Sequence, residues 1–296
     1  MTDTAVYLYG VARGLDPAAL DGTAGVAGSP VRGVVADGLT ALVSTVRLDD
    51  YGEAALRANL EDLAWLEETA RAHHDVVDRA ARAAPTAPVR IATIYRDDAR
   101  VAEVLAAQGD RFGEVLDSIT GRSEWGVKAY ARSEALRPGG PADAEASDPD
   151  PGGGLAPRAE SLTGPTTGTG TAGGEAGGTG TAYLRRRQSE QRRRADAVRR
   201  MAERAADIHA ELADHAVAAR HHPPQDPRLS GRAGTQILNV AYLLDDEQAD
   251  GFLAVTRALG DRLAAIEVEV TGPWPPYSFI DTGEVTPGPE PEDAAR

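Results

Sequence analysis

From residue 137 to about 182 the chain is almost entirely glycine, proline, threonine, alanine and aspartate. So little apolar surface is available there that burial cannot offset the entropy of ordering the backbone, and the segment is expected to be disordered. This one stretch constrains everything else, because any core must be built from the residues on either side of it. The 296-residue chain has room for two domains of ordinary size, and 42% apolar residues suffice for cores in the flanks.

In the first flank, Val6, Leu8 and Gly10 alternate with Tyr7, Tyr9 and Val11. A strand apolar on both faces belongs in the middle of a sheet. Residues 13–30 read as a loop. Asp37-Gly38 between the β-type runs 31–36 and 39–46 suits the positive φ of a type I′ turn and predicts a hairpin. Asp50 and Glu53 have capping-box spacing, and Leu56, Leu60, Leu63, Leu66, Ala70, His73, Val77 and Ala80 recur at helical intervals. They predict one long helix, or two joined near Asn59, ended by Pro85 and Pro88. A strand over 89–95 follows. Asp97 or Asp98 then caps a helix running from Val101 to Ile119, with Gly121 beyond its end. The pattern fits an α+β unit with helices on one sheet face.

The second flank opens with an alternating strand over 125–131 and resumes at Tyr183 with an amphipathic helix to about 219, closed by His221, His222, Pro223 and Pro224. A strand at 235–244 follows, and Asp245 or Asp246 caps a helix bearing Phe252, Val255, Leu259 and Leu263 on one face. The last strand covers 265–270. It runs into a stiff strap at 271–280, T-G-P-W-P-P-Y-S-F-I, whose prolines are expected to stop it. The expected fold is thus two-domain α+β: an N-terminal mixed α+β sheet domain (1–122) and a C-terminal ferredoxin-like α+β domain (123–280). A long disordered Gly/Pro/Thr-rich insert (138–182) interrupts the second, and an acidic flexible tail (281–296) ends the chain.

Chemistry is harder to find than architecture. With no cysteine there is no disulfide, thiolate or zinc finger, and a net charge of −15 argues against nucleic-acid binding. No apolar run is long enough to span a membrane, and a cytoplasmic protein is expected. Gly168, Gly170 and Gly173 satisfy G-x-G-x-x-G, but no strand precedes them and the tract is glycine-rich throughout, so the match reads as linker. The one lysine, Lys128, lies in a strand and reads as an ordinary ion-pair residue, not a phosphate-loop or Schiff-base lysine. His74 with Asp78 and Glu211 with His215 are i, i+4 pairs, too few to close a metal site. No G-x-S-x-G elbow surrounds any serine. Arginines 185–187, 192–194, 199 and 200 form a basic block, read as a solvated helix face paired with Glu190, Asp196 and Glu203. No enzyme, cofactor, metal or small-molecule substrate is expected.

The strap at 271–280 is similar, nearly letter for letter, to the C-terminal hallmark of the gas vesicle protein F/L family. Supporting matches are V-Y-L-Y-G at 6–10, A-P-V-R-I-A-T at 87–93, E-W-G-V-K at 124–128 and L-N-V-A-Y-L-L at 238–244. One departure stands out: the family's Pro-x-Arg-Phe-Gly is here Pro88-Val-Arg90-Ile-Ala92. The resemblance implies a non-enzymatic factor of gas vesicle assembly, located in the cytoplasm or at the vesicle. It would bind the hydrophobic shell subunit or other accessory proteins. The candidate contact or signature residues are Tyr7, Tyr9, Val34, Arg90, Trp125, Lys128, Tyr242, Gly272, Pro273, Trp274, Pro275, Pro276, Tyr277 and Phe279. Tyr7, Tyr9 and Val34 are expected to contribute a contact surface on the first sheet, and the strap aromatics to lock the chain internally. The competing class is a ferredoxin-like regulatory module that holds a small molecule between sheet and helices.

Overall fold

The computed structural model describes residues 3–132, 177–225, 234–263 and 265–280. The disorder expected over 138–176, the glycine pattern at 168–173 and the tail from 281 lie outside the described residues. The fold is mixed α+β with two antiparallel four-stranded sheets.

The first sheet contains β1 (Thr4–Arg13), β2 (Val31–Ala36), β3 (Leu39–Arg47) and β4 (Thr86–Tyr95), in the order β2-β3-β1-β4. β1 is internal, as its two-sided apolar pattern requires. Asp37 (φ 49) and Gly38 (φ 76) make the predicted hairpin turn between β2 and β3. Helices cover both faces of this sheet, not one. Tyr7, Tyr9 and Ala12 pack with Val76, Val77 and Ala80 of α3 (Leu63–Ala81). Val6, Leu8 and Val11 pack with α4 (Asp98–Ala107) and α5 (Gly109–Ile119) through Val101, Leu105, Phe112 and Leu116. The physical reason is β1 itself, since both of its apolar faces need cover. A register shift between Leu8 and Gly10 lets Val11 and Ala12 change faces.

The long helix predicted from Asp50 is broken into α1 (Leu48–Tyr51), α2 (Glu53–Asn59) and α3. Gly52 separates the first two; a Cβ there would lie 2.5 Å from the Leu48 carbonyl oxygen. The cap of the main helix is Asp62, which accepts from the Ala64 and Trp65 amides, so Asp50 is not the N-cap. The next predicted helix is likewise divided into α4 and α5 at Gln108.

The second sheet contains β5 (Arg122–Ala131), β6 (Ala218–His221), β7 (Thr235–Asp245) and β8 (Ile266–Trp274), ordered β6-β7-β5-β8. Trp125, Val127, Leu238, Val240 and Tyr242 face α6 (Gly177–Ala213) and α7 (Ala249–Arg262), which bring Ile208, Leu212, Phe252 and Leu259 into the core. Three boundaries differ from expectation. Helix α6 begins at Gly177, inside the stretch expected to be disordered. It also stops at Ala213, and Ala218 and Ala219, read as its end, instead open β6, a four-residue edge strand held by tertiary pairing with β7. Finally, β8 runs through Pro273 to Trp274, where Pro273 follows Gly272 through a cis peptide. Proline is tolerated there because β8 lies at the sheet edge and needs no donor on its outer side.

Candidate functional site

The strongest convergence of polar and aromatic groups lies at two neighbouring histidines of α3. His73 points into the core, 1% exposed. Its Nδ1 lies 3.0 Å from the Tyr7 hydroxyl, which also accepts the Ala92 amide at 3.1 Å. The Tyr7 proton is therefore donated to Nδ1, and the imidazole proton sits on Nε2. Nε2 lies near the Val89 backbone without a well-formed hydrogen bond. Tyr9 lies beside Tyr7 with ring centroids 4.8 Å apart, donates to Ser44 and accepts the Val26 amide. Burial pushes the Tyr7 phenol well above its ordinary range and the His73 imidazole down to about 4.

His74, one residue on, faces the strap. The Trp274 ring meets its imidazole edge-on at 5.3 Å, and Tyr277 lies 6.1 Å away. Beyond Trp274 the strap is held by a half-buried carboxylate. The Ser278 amide and hydroxyl both donate to Glu124 on β5 at 2.7 Å, and His222 Nε2 donates to the same hydroxyl at 3.2 Å. Burial raises the Glu124 carboxyl, and the Ser278 hydrogen bonds and the charges of His222 and Arg220 draw it partly back. Gly272 (φ 134) is required at the strap's start, since a Cβ would lie 2.8 Å from the Glu124 carbonyl and 3.0 Å from the Trp125 ring. Pro275 and Pro276 are buried, and Ile280 packs on the core beneath α4 and α5. The segment thus leaves the second sheet, crosses α3 and ends against the first sheet's core. Trp274 and Tyr277 nonetheless keep 41% and 37% of their surface exposed, while Phe279 is half-buried.

The other candidates scatter. Tyr7 and Tyr9 are fully buried, so neither ring is offered at a surface; apolar bodies with satisfied hydroxyls serve the core instead. Val34 is half-buried on edge strand β2, packed toward the α4–α5 core. Arg90 is exposed. Trp125 is buried and donates to Ser123, and Tyr242 is buried with its hydroxyl 2.9 Å from His209 Nδ1. Lys128 stands on the sheet face away from the helices, opposite Asn239 and Glu269. In the arginine block, Arg186 pairs with Glu190 and Arg199 with Glu203. Glu124 and Ser278 were not singled out by sequence reasoning, and His74 only as half of a pair with Asp78, because their roles exist only through contacts between distant segments. A separate cleft of about 380 Å³ lies between α6 and β6–β7, lined by Ala202, Ala206, His209, His221, Gln236 and Asn239. Among the described residues no three His, Asp or Glu side chains gather in a way that could hold a metal.

A family profile described as "Gas vesicle synthesis protein GvpL/GvpF" matches residues 5–281, which takes in both sheets and the whole strap. The chain belongs to the GvpL/GvpF family. It is 36% identical over 289 residues to gas vesicle protein L of a Streptomyces strain, covering 96% of this chain and 95% of that one. Gas vesicle protein F of the same strain is 28% identical, covering 93% of this chain and 99% of the relative. The fold is similar to the crystal structures of GvpF from Anabaena, with a TM-score of 0.62 at 18% identity, and from Microcystis aeruginosa, with a TM-score of 0.59 at 17% identity. Each comparison covers 93% of this chain and 98% of the solved one.

The departure from the GvpL/GvpF pattern at Ile91-Ala92 now has a location. Between Pro88 and Thr93 strand β4 bulges away from β1, and Ala92 adopts φ 63, a left-handed conformation natural to glycine. The bulge turns the Ala92 amide onto Tyr7, and the Thr93 hydroxyl closes it by donating to the Arg90 carbonyl. Replacing Ala92 by glycine should therefore raise unfolding free energy by about 1 kcal/mol in urea titrations; a loss of stability would contradict the strain.

His73 gives a second test. The unfolded imidazole titrates near 6.5 and the folded one at about 4, so the unfolded state binds more protons between these values. Stability should then fall by roughly 3 kcal/mol as pH drops through that window and no further below it. Subtracting the pH profile of His73→Gln isolates this contribution from the opposite one of Glu124. Parallel profiles for the two proteins would show that His73 is not buried neutral.

Proposed function

We propose that this chain is a non-enzymatic accessory protein of gas vesicle assembly that binds the hydrophobic shell subunit and other gas vesicle components. The observation that carries the reading is the near-complete alignment with gas vesicle protein L at 36% identity, since so long a collinear match spans both sheets and the strap between them. The site is compatible with a binding role: rigid aromatics on a proline-rich strap, anchored from behind, resemble the preorganised anchors of protein interfaces.

The same proposal divides the chain into an N-terminal α+β domain and a C-terminal ferredoxin-like domain. The order β5, α6, β6, β7, α7, β8 with sheet order β6-β7-β5-β8 supports the second assignment. A small-molecule regulatory role is the second reading. The cleft beside His209 favours it, being of a size that accepts a small ligand.

Deletion of the coding sequence in a vesicle-forming host, scored by electron microscopy, tests the assembly role. Loss or malformation of vesicles, restored by the wild-type chain, is expected, together with co-purification of the shell subunit. Normal vesicles in the deletion strain would contradict it.

A further inference from the structure

Helix α3 carries a second feature that its core contacts do not use. Leu63, Leu66, Ala70 and His74 follow one another at intervals of three and four, so they share one face over about 17 Å of helix. At the C-terminal end of this stripe His73 and Val77 are covered, 1% and 0% exposed, and Tyr277 of the strap lies over His73. At the N-terminal end the cover stops. Leu63 is 74% exposed, Leu66 and Ala70 are half-buried, and Leu60 at the α2–α3 corner is 46% exposed. Trp274 stands against His74 where the open half begins.

We propose that this open stripe, together with Trp274, docks an amphipathic helix of another gas vesicle component, apolar on one face and carrying lysine or arginine along its flanks. The proposal rests on the assembly reading above. An i, i+3, i+7 series of apolar groups, continued at i+11 by the His74 ring, is matched by about three turns of a partner helix. Trp274, fixed between Pro273 and Pro275, supplies an anchor that loses little freedom on binding.

Charge selects the occupant. Helix α3 bears Glu67, Glu68, Asp75 and Asp78 against Arg71 and Arg79, a net negative helix in which Glu67 pairs with Arg71 and Asp78 with Arg82, leaving Glu68 and Asp75 to set its sign. A second copy presenting the same stripe would bring like charges together. The chain's own C-terminal segment is also acidic: 281–296 carries Asp281, Glu284, Glu290, Glu292 and Asp293 against Arg296. The basic arm of α6 is a poor occupant, because residues 185–196 contain no large apolar side chain. A basic, leucine-rich helix from a different protein satisfies both the apolar stripe and its acidic flank.

The test uses the full chain and a labelled synthetic helix of about 16 residues, leucine on one face and lysine on its flanks, followed by fluorescence anisotropy. Its isomer with glutamate in place of lysine serves as control. Leu63→Arg with Leu66→Arg, checked for native circular dichroism, should weaken binding of the lysine peptide at least about tenfold, and Trp274→Ala should weaken it measurably. The glutamate isomer should bind at least about tenfold more weakly to the wild type. Unchanged affinity in the double arginine variant overturns the proposal. So does a wild-type dimer in sedimentation that the same variant dissociates, since a second copy is then the occupant. In the deletion strain, full rescue by the double variant removes the docking face and leaves the assembly role standing. Normal vesicles without any copy of the gene remove the assembly role, and the peptide titration alone then decides the docking face.

Discussion

The buried contact between Tyr7, His73 and Ala92 fixes three elements at one point. Tyr7 belongs to β1, His73 to α3 and Ala92 to the bulge of β4, and a single hydroxyl serves the other two groups. In a low-dielectric core these two hydrogen bonds depend on one another, because removing the shared hydroxyl would orphan both the His73 Nδ1 and the Ala92 amide. Consecutive helix residues point about 100° apart, so anchoring His73 inward commits His74 to the outer side of α3. There it meets Trp274 and Tyr277. One local interaction in the first sheet's core therefore determines where the strap from the second sheet lands.

The strap's other attachments are of a different kind. Glu124 accepts two hydrogen bonds from Ser278 at a half-buried position, and Gly272 gives the backbone room beside Trp125. Extended, proline-rich chain has little entropy left to lose on docking, so a few such contacts hold it. The strap is thus fixed from within and still exposes aromatic surface.

Much of the fold was legible because it rests on local periodicity. The two-sided apolar alternation of Val6 to Val11 placed β1 inside a sheet, and Asp37-Gly38 marked its turn with the positive φ values observed. What was not legible depended on partners far away in sequence. The four residues of β6 carry no pattern of their own and become a strand only by pairing with β7. Gly52 breaks a helix that its neighbours' spacing favours, and Pro273 remains in a strand because that strand is an edge. For the site, the 271–280 signature was visible at once, yet its anchor was not: Glu124 and Ser278 are 154 positions apart. Tyr7 and Tyr9 illustrate the reverse error, since aromatic residues on a strand resemble a contact face until the covering helix is seen.

Membership of the GvpL/GvpF family, the strap anchored on α3 and the open apolar stripe beside it converge on one account, in which this face receives another gas vesicle component. Site-specific photocrosslinking in vesicle-forming cells tests it most directly, with the reactive group at position 63 of α3 in one strain and at position 35 on edge strand β2 in another. The account predicts covalent adducts to a gas vesicle component from position 63 and few from position 35. Adducts from position 35 with none from position 63 would contradict it and move the interface to the hairpin edge.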